Sequence, residues 1–248
     1  MQSMHKIHFD KIDSTNTYAK QHSASFPKGE ITCITAEEQT AGYGRYQRKW
    51  ISPRGVNICA TFYFQLPSNT PHLMSLAQVM AYSLATVLSH EGLHPKIKWP
   101  NDIQLNRKKL SGVLCETQFN RDSVDLFLGI GINVNLDAEM AAQIDQPATS
   151  LLIETGKKWD RDALLKKLQK QWIHDLEIFK KQGFAPFHDS FEKWLAYKGE
   201  KIRCFDGKNM WEGICHSLTN EGQLNLLLPN KTIHLITSGD IVSLRNSE

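Results

Sequence analysis

Gly42 and Gly44 stand beside Arg45, Arg48 and Lys49 in one short stretch between two apolar, β-prone runs, residues 30–36 and 56–64. Glycine lets a backbone approach a ligand closely and reach positive φ, and arginine offers a planar fork of donors matched to carboxylate and phosphate. A loop of this kind between two strands reads as an anion clamp. A solvated basic hairpin tip has the same composition, and these residues alone leave both readings open. A second stretch, Lys98-Trp99-Pro100-Asn101-Asp102 followed by Lys108, Lys109, Leu110, Ser111 and Gly112, adds further cations and a carboxylate. A strand lysine is usually a solvated face and Trp-Pro usually packing. Neither explains why Lys98, Asp102 and Lys109 occur together at this spacing.

Taken together, the two stretches resemble the biotin protein ligases. In that family a Gly-Arg-Gly-Arg-x-Gly-Arg-x-Trp loop covers biotin and its adenylate, and a Lys-Trp-Pro-Asn-Asp turn leads to a catalytic lysine in Lys-x-x-Gly. The second motif stands intact here. The first is partly kept: Gly42, Gly44, Arg45, Arg48 and Trp50 match, Tyr43 replaces an arginine and Gln47 a glycine. The resemblance runs from Asp13-Ser14-Thr15-Asn16 to the C-terminal strands. It implies an α+β fold, a central mixed β-sheet flanked by helices as in class II aminoacyl-tRNA synthetases, with a small C-terminal SH3-like β-barrel. Residues 1–196 would form the biotin- and ATP-binding catalytic domain and residues 197–248 the barrel. The activity it implies is activation of biotin as biotinyl-5'-AMP and transfer to a lysine of a biotin carboxyl carrier protein or domain of acetyl-CoA carboxylase, using ATP and Mg2+.

Residue roles follow from the same resemblance. Ser14, Thr15, Asn16, Gln39, Gly42, Tyr43, Arg45, Lys109, Gly112 and Leu114 would shape the biotin pocket. Arg45, Arg48, Trp50, Lys98, Asn101, Lys109, Gly131 and Asn133 would bind the nucleotide. Lys109, bridging carboxylate and α-phosphate, is the expected catalytic cation, with Arg45 folding over the adenylate and Asp102 orienting the incoming amine. Trp99 and Pro100 would rigidify the turn. Joining a carboxylic acid to ATP gathers negative charge as pyrophosphate leaves, so the transition state needs cations already in position. Mg2+ would neutralise the triphosphate; no protein ligand is assigned to it, and the ion is expected mainly through the ATP phosphates. No Gly-x-x-x-x-Gly-Lys-Ser/Thr sequence is present, which excludes a P-loop. Tyr43 leaves the loop one charge short of the motif or stacks on the ligand.

Composition narrows the classes. A chain of 248 residues can hold one large and one small domain. A net charge of +3 argues against a dedicated nucleic-acid binder. The first strand is reached within ten residues, leaving no room for a DNA-binding module, so no DNA partner is expected. No signal peptide is visible at the N-terminus, and apolar runs such as residues 56–64 fall short of the ~20 residues of a membrane span. Cys33, Cys59, Cys115, Cys204 and Cys215 are odd in number and scattered, as reduced thiols of a cytoplasmic protein would be. His5/His8 and His90/His94 lack metalloprotease spacing. A monomer or weak homodimer is expected, since an exposed sheet edge could pair. The rivals are a lipoate or octanoate ligase of the same superfamily, whose glycine-rich Arg-Arg segment is absent, a ligand-sensing repressor, and a biotin-binding module without catalysis, against which Lys109 argues.

The elements that must position these residues can be read from cap chemistry and periodicity. Ser14 is a helix N-cap after a first strand at 5–9, with the helix running to about residue 22. Ile58, Ala60, Phe62 and Phe64 share one strand face. A helix over 71–89, ended by Gly92, carries a buried stripe of Leu73, Ala77, Met80, Ala81, Leu84 and Leu88. Strands 109–117 and 124–134 form the sheet centre. Val124, Leu126, Leu128, Ile130, Ile132 and Val134 point one way; Gly129, Gly131 and Asn133 leave room on the other for a flat ligand hydrogen-bonded by Asn133. Residues 136–149 read as an irregular loop, mobile without ligand by the resemblance, and Thr149-Ser150 as a helix start. An amphipathic helix over 160–181 carries Leu165, Leu168, Trp172, Leu176 and Phe179, and a further helix spans 186–196. Beyond residues 197–199 short strands alternate with Asp-Gly, Asn-Glu-Gly and Pro-Asn turns.

Overall fold

The computed structural model describes residues 4–242; residues 1–3 and 243–248 of the two expected domains lie outside it. The chain runs β1 (Met4–Ile12), α1 (Thr15–His22), β2 (Ile31–Gln39), β3 (Asn57–Pro67), α2 (Leu76–His90), β4 (Lys96–Lys98), β5 (Asp102–Leu105), β6 (Lys108–Phe119) and β7 (Ser123–Asn133). It continues through α3 (Ala138–Ala142), α4 (Leu151–Thr155), α5 (Arg161–Gln182) and α6 (His188–Trp194) to five short strands, β8 (Lys201–Phe205), β9 (Met210–Leu218), β10 (Leu224–Leu227), β11 (Ile233–Ile236) and β12 (Asp240–Val242).

The first seven strands make one mixed sheet in the order β1-β2-β3-β7-β6-β5-β4, parallel only between β1 and β2. Its two faces differ, as the two-residue period of a strand requires. One face, with Ile58, Phe62, Phe64, Leu126, Leu128, Ile130 and Ile132, is buried in the main core with α2 and α5; Trp172 of α5 packs 6.5 Å from Phe62 and 6.0 Å from Phe64, ring centre to ring centre. The other face carries a smaller cluster, Ala19, Phe26, Ile34, Tyr63 and Phe127, under α1. Beside it lie three glycines brought together by register. Gly131 pairs with both Cys59 and Gly112, and Gly129 with Thr61 and Leu114.

Caps set the helices where the sequence places them. Ser14, Ser150 and Asp160 each accept a hydrogen bond from the backbone N–H three residues on. Several boundaries move. The helix expected over 71–89 begins only at Leu76, because His72 is left-handed and Leu73–Ser75 forms a tighter 3-10 turn. Leu164, not Leu165, completes the buried stripe of α5, while Leu165 lies half-buried at its margin. The last helix stops at Trp194, since Leu195 and Ala196 turn to pair with Ile97. The span Leu73–His90 is long and apolar enough by composition to cross a membrane, contrary to the expectation that no run qualified; here it is a core helix, mostly buried. Residues 136–149 are less irregular than expected. They contain α3, capped by Asp137, and their end is tied to the sheet where Lys109 N–H donates to the Pro147 carbonyl and Thr149 N–H to the Lys109 carbonyl.

The C-terminal strands form an antiparallel sheet in the order β11-β10-β9-β8-β12, consistent with an SH3-like domain. Its inner residues Ile202, Cys204, Cys215, Leu218, Leu224 and Leu226 join the same core as the large sheet. Trp99, 2% exposed, donates from its indole to the Gly222 carbonyl at 2.9 Å, and Gln78 donates to the same oxygen at 2.6 Å. The Trp-Pro turn, with a cis Trp99–Pro100 bond, therefore fixes the small sheet against the large one.

Candidate active site

A cleft of about 780 Å3, its open mouth included, lies over the glycine face of the large sheet. Its walls come from α1 (Ser14, Thr15, Asn16), the end of β2 (Gln39), the loop from Tyr43 to Trp50, the β5 start (Asn101, Asp102), β6 (Lys109, Gly112, Leu114), β7 (Gly129, Gly131) and, unforeseen, Gln146 and Asp240.

Lys109 reaches this face through an irregularity. Strict alternation along β6 would place Lys109 on the core side with Ser111. The pairing with β5 skips a residue, however: Ile103 faces Ser111 while Gln104 faces Lys109. Leu110 is the extra residue of a bulge, which re-aims its neighbour. Leu110 itself is fully buried, and the Lys109 ammonium turns over Gly112 to meet Asp102 Oδ1 at 2.7 Å. A Cβ at position 112 would stand 3.1 Å from Lys109 Nζ and 3.2 Å from Asp102 Oδ1. The Lys-x-x-Gly spacing thus makes room for an ion pair on the cleft floor. Lys98 is half-buried behind it. Burial pushes its ammonium down; Asp102 opposes this and Lys109 adds to it. Lys98, expected at the nucleotide, does not line the cleft.

At the end of the cleft next to α1 the polar groups hold one another in fixed positions. The Gln39 side-chain carbonyl accepts from Thr15 N–H at 2.8 Å and from the Thr15 hydroxyl at 3.0 Å. Thr61, a residue that sequence reasoning missed, donates to Asn16 Oδ1 at 2.5 Å and lies 2.8 Å from the Thr15 hydroxyl. The bare positions of β7 are filled. A Cβ at Gly129 would collide with the Asn16 amide, and one at Gly131 with the Trp50 indole. These glycines admit Asn16 and Trp50 as walls of the cleft and themselves remain in its lining. The indole N–H of Trp50 is buried over Gly131 with no hydrogen-bond partner that meets ordinary geometry. Asn133 departs from expectation: its amide donates to the Thr149 carbonyl at 3.0 Å, it is 2% exposed, and it lies outside the cleft lining, so it fixes the segment that follows β7. Asn101 likewise donates to the Val113 carbonyl while still forming part of the wall.

The loop folds into a tight return between Gly42 and Trp50, with Trp50 N–H donating to the Gly42 carbonyl at 2.9 Å and Gly44 N–H to the Arg48 carbonyl at 2.8 Å. Gly42 lies outside the cleft lining; a Cβ there would come 2.8 Å from the Gln39 amide nitrogen, so the glycine permits the close approach of loop and β2. Gln47, where the motif has glycine, holds φ +57°, a left-handed conformation that glycine adopts without strain. Tyr43 lines the cleft, and its hydroxyl donates to Glu116 Oε2 at 2.9 Å. The loop arginines meet a residue with no sequence signal at all. Arg45 Nη1 donates to the Gly239 carbonyl and to Asp240 Oδ1, both at 2.8 Å, and Arg48 Nη1 lies 3.0 Å from Asp240 Oδ2.

Among the described residues no three His, Cys, Asp or Glu side chains gather as a metal site. Burial pushes the thiols of Cys33 and Cys59 up to about 11 and those of Cys115, Cys204 and Cys215 to about 12, so none is a thiolate at neutral pH.

Residues 8–133 match the family model described as the biotin/lipoate A/B protein ligase family. The chain is 32% identical over 239 residues to the bifunctional ligase/repressor BirA of Escherichia coli, covering 96% of this chain and 73% of that one. It is 30% identical to the biotin--[acetyl-CoA-carboxylase] ligase of Paracoccus denitrificans, covering 88% and 92%. Among solved structures, the biotin protein ligase from Aquifex aeolicus in complex with biotin and ATP superimposes with a TM-score of 0.83 at 33% identity, covering 98% of this chain and 99% of that one.

Proposed function

Since the chain belongs to the biotin/lipoate A/B protein ligase family, we propose that its cleft joins biotin to ATP and passes the biotinyl group to a lysine of a biotin carboxyl carrier domain. The chain is a ligase, and its reaction is ATP-dependent biotinylation. The observation that carries the assignment to this cleft is the Lys109 ammonium, held at 2.7 Å by Asp102 over Gly112, between a pocket of fixed amides and hydroxyls and a loop that brings two arginines.

In this reading the fused rings of biotin lie between Trp50 and the wall of Thr15, Asn16 and Gln39, and the carboxylate points at Lys109. Ser14 caps α1 and closes the same wall. The carboxylate oxygen attacks the α-phosphorus of ATP, the bond to the β-phosphate breaks and pyrophosphate leaves. Lys109, Arg45 and Arg48 offset the charge that develops, and because the fold already holds them in place they need little reorganisation. Mg2+ would supply further charge neutralisation through the triphosphate oxygens, the described residues offering no acidic cage for it. In the second step the carrier lysine attacks the acyl carbon and AMP departs. The amine must arrive neutral, and Asp102 is the carboxylate placed to orient it.

The test is transfer. Purified protein with biotin, ATP, Mg2+ and a biotin carboxyl carrier domain should add one biotinyl group to one carrier lysine, read by intact-mass spectrometry. A carrier left unmodified by folded protein would refute the assignment.

A further inference from the structure

We propose that Lys20 and Glu116 are positioning residues that latch Tyr43, and through it the whole loop, in place over the acid pocket. The proposal rests on the biotin pocket described above and adds to it two residues outside the cleft lining.

Three side chains from three elements close a ring. Lys20 Nζ, from α1, donates to Glu116 Oε1 on β6 at 2.9 Å and to the Tyr43 hydroxyl at 2.9 Å; that hydroxyl in turn donates to Glu116 Oε2 at 2.9 Å. The Lys20 ammonium also lies 5.5 Å from the Tyr43 ring centre. A half-exposed Lys–Glu pair by itself contributes little. This one has both carboxylate oxygens engaged, because Glu116 Oε2 accepts a further hydrogen bond from the Asn16 amide at 3.0 Å. Burial would raise the Glu116 carboxyl, but hydrogen bonds from Lys20, Asn16 and Tyr43 outweigh it and hold the carboxyl below its ordinary range.

The position of the ring gives it a role. Asn16 is a wall of the acid pocket, and its other amide atom accepts from Thr61. Glu116 therefore ties the pocket wall and the loop to one carboxylate. The loop is pinned at two ends, by this ring at Tyr43 and by Asp240 at Arg45 and Arg48. Tyr43 stands where the resembled motif has arginine. Here the cation comes instead from α1, and the phenol extends the loop to reach it.

Cleavage after Lys49, an exposed loop residue, by a lysine-specific protease reads the latch directly in ligand-free protein. Glu116→Gln and Tyr43→Phe should each speed cleavage roughly tenfold, the effect of losing a charge-assisted hydrogen bond. Lys20→Met with Tyr43→Arg should restore slow cleavage, since one guanidinium can meet Glu116 alone. In steady-state assays Glu116→Gln should raise KM for biotin with kcat nearly kept; a merely structural role would lower thermal stability without that split. Wild-type cleavage rates in both single variants, or no rescue by the double variant, would overturn the proposal. If the variants open the loop while wild-type protein adenylates no biotin, the ligase assignment fails and the latch stands.

Discussion

Asp240, in the last described strand, takes Arg45 of the loop at 2.8 Å, so a residue of the small sheet contributes to the wall of a cleft built on the large one. Both side chains are largely buried, at 12% and 21% exposure, and Arg48 joins the same carboxylate. Hydrogen bonds between charged groups contribute roughly 1.5–3 kcal/mol each. Asp240→Asn should therefore loosen the loop and let biotinyl-adenylate escape about tenfold faster. Arg45→Gly should do the same. The check is labelling of a bystander protein in the reaction mixture, and labelling confined to the carrier would show that neither residue retains the intermediate.

Lys109→Met keeps the aliphatic stem over Gly112 and removes only the charge. Adenylation should fall by about 10²–10³, as when one preorganised donor is taken from a transition state. The protein should remain folded, with a thermal midpoint lowered by only a few degrees for the unpaired Asp102. Near-normal pyrophosphate release by this variant would remove Lys109 from the mechanism.

Gly131→Ala should act through Trp50. The added methyl collides with the indole, and overpacking typically costs about 1–3 kcal/mol. Biotin affinity should fall as the indole is displaced from the cleft wall. The measurement is the change in tryptophan fluorescence on titration with biotin, with unchanged affinity as the contrary result.

The latch carries a pH signature. Because the Glu116 carboxyl is lower in the folded protein than in the unfolded chain, its contribution is fully present above the unfolded value of about 4.3. It is lost as pH falls through the folded value. Biotin binding to wild-type protein should weaken as pH is lowered below that window, relative to Glu116→Gln, whose dependence should be flatter. Identical pH profiles would contradict a titrating latch.

The parts of the site legible in the sequence were those carried by short spacings. Lys-Trp-Pro-Asn-Asp and Lys-x-x-Gly lie on adjacent strands, so Asp102, Lys109 and Gly112 meet whatever the rest of the chain does. Ser14 announced itself by cap chemistry, and the apolar period of β7 by simple alternation. Asp240 could not be found this way, because a short strand far along the chain meets Arg45 only through the packing of the two sheets. Lys20 and Glu116 look like ordinary surface charges until the loop folds between them. Asn133 misled for a related reason: its amide faces the glycine side in the strand pattern, but the returning Thr149 carbonyl takes it before a ligand can. The glycines beside it read as room for a flat ligand, and in the fold Trp50 and Asn16 close over them.

The most direct measurement is formation of the acyl-adenylate itself. Protein incubated with ATP, Mg2+ and either biotin or lipoate would be followed by pyrophosphate release and mass spectrometry of the product. The account predicts biotinyl-adenylate with biotin, no lipoyl-adenylate with lipoate, and loss of the product in Lys109→Met. Lipoyl-adenylate in place of the biotinyl product, or neither product from folded protein, would contradict it.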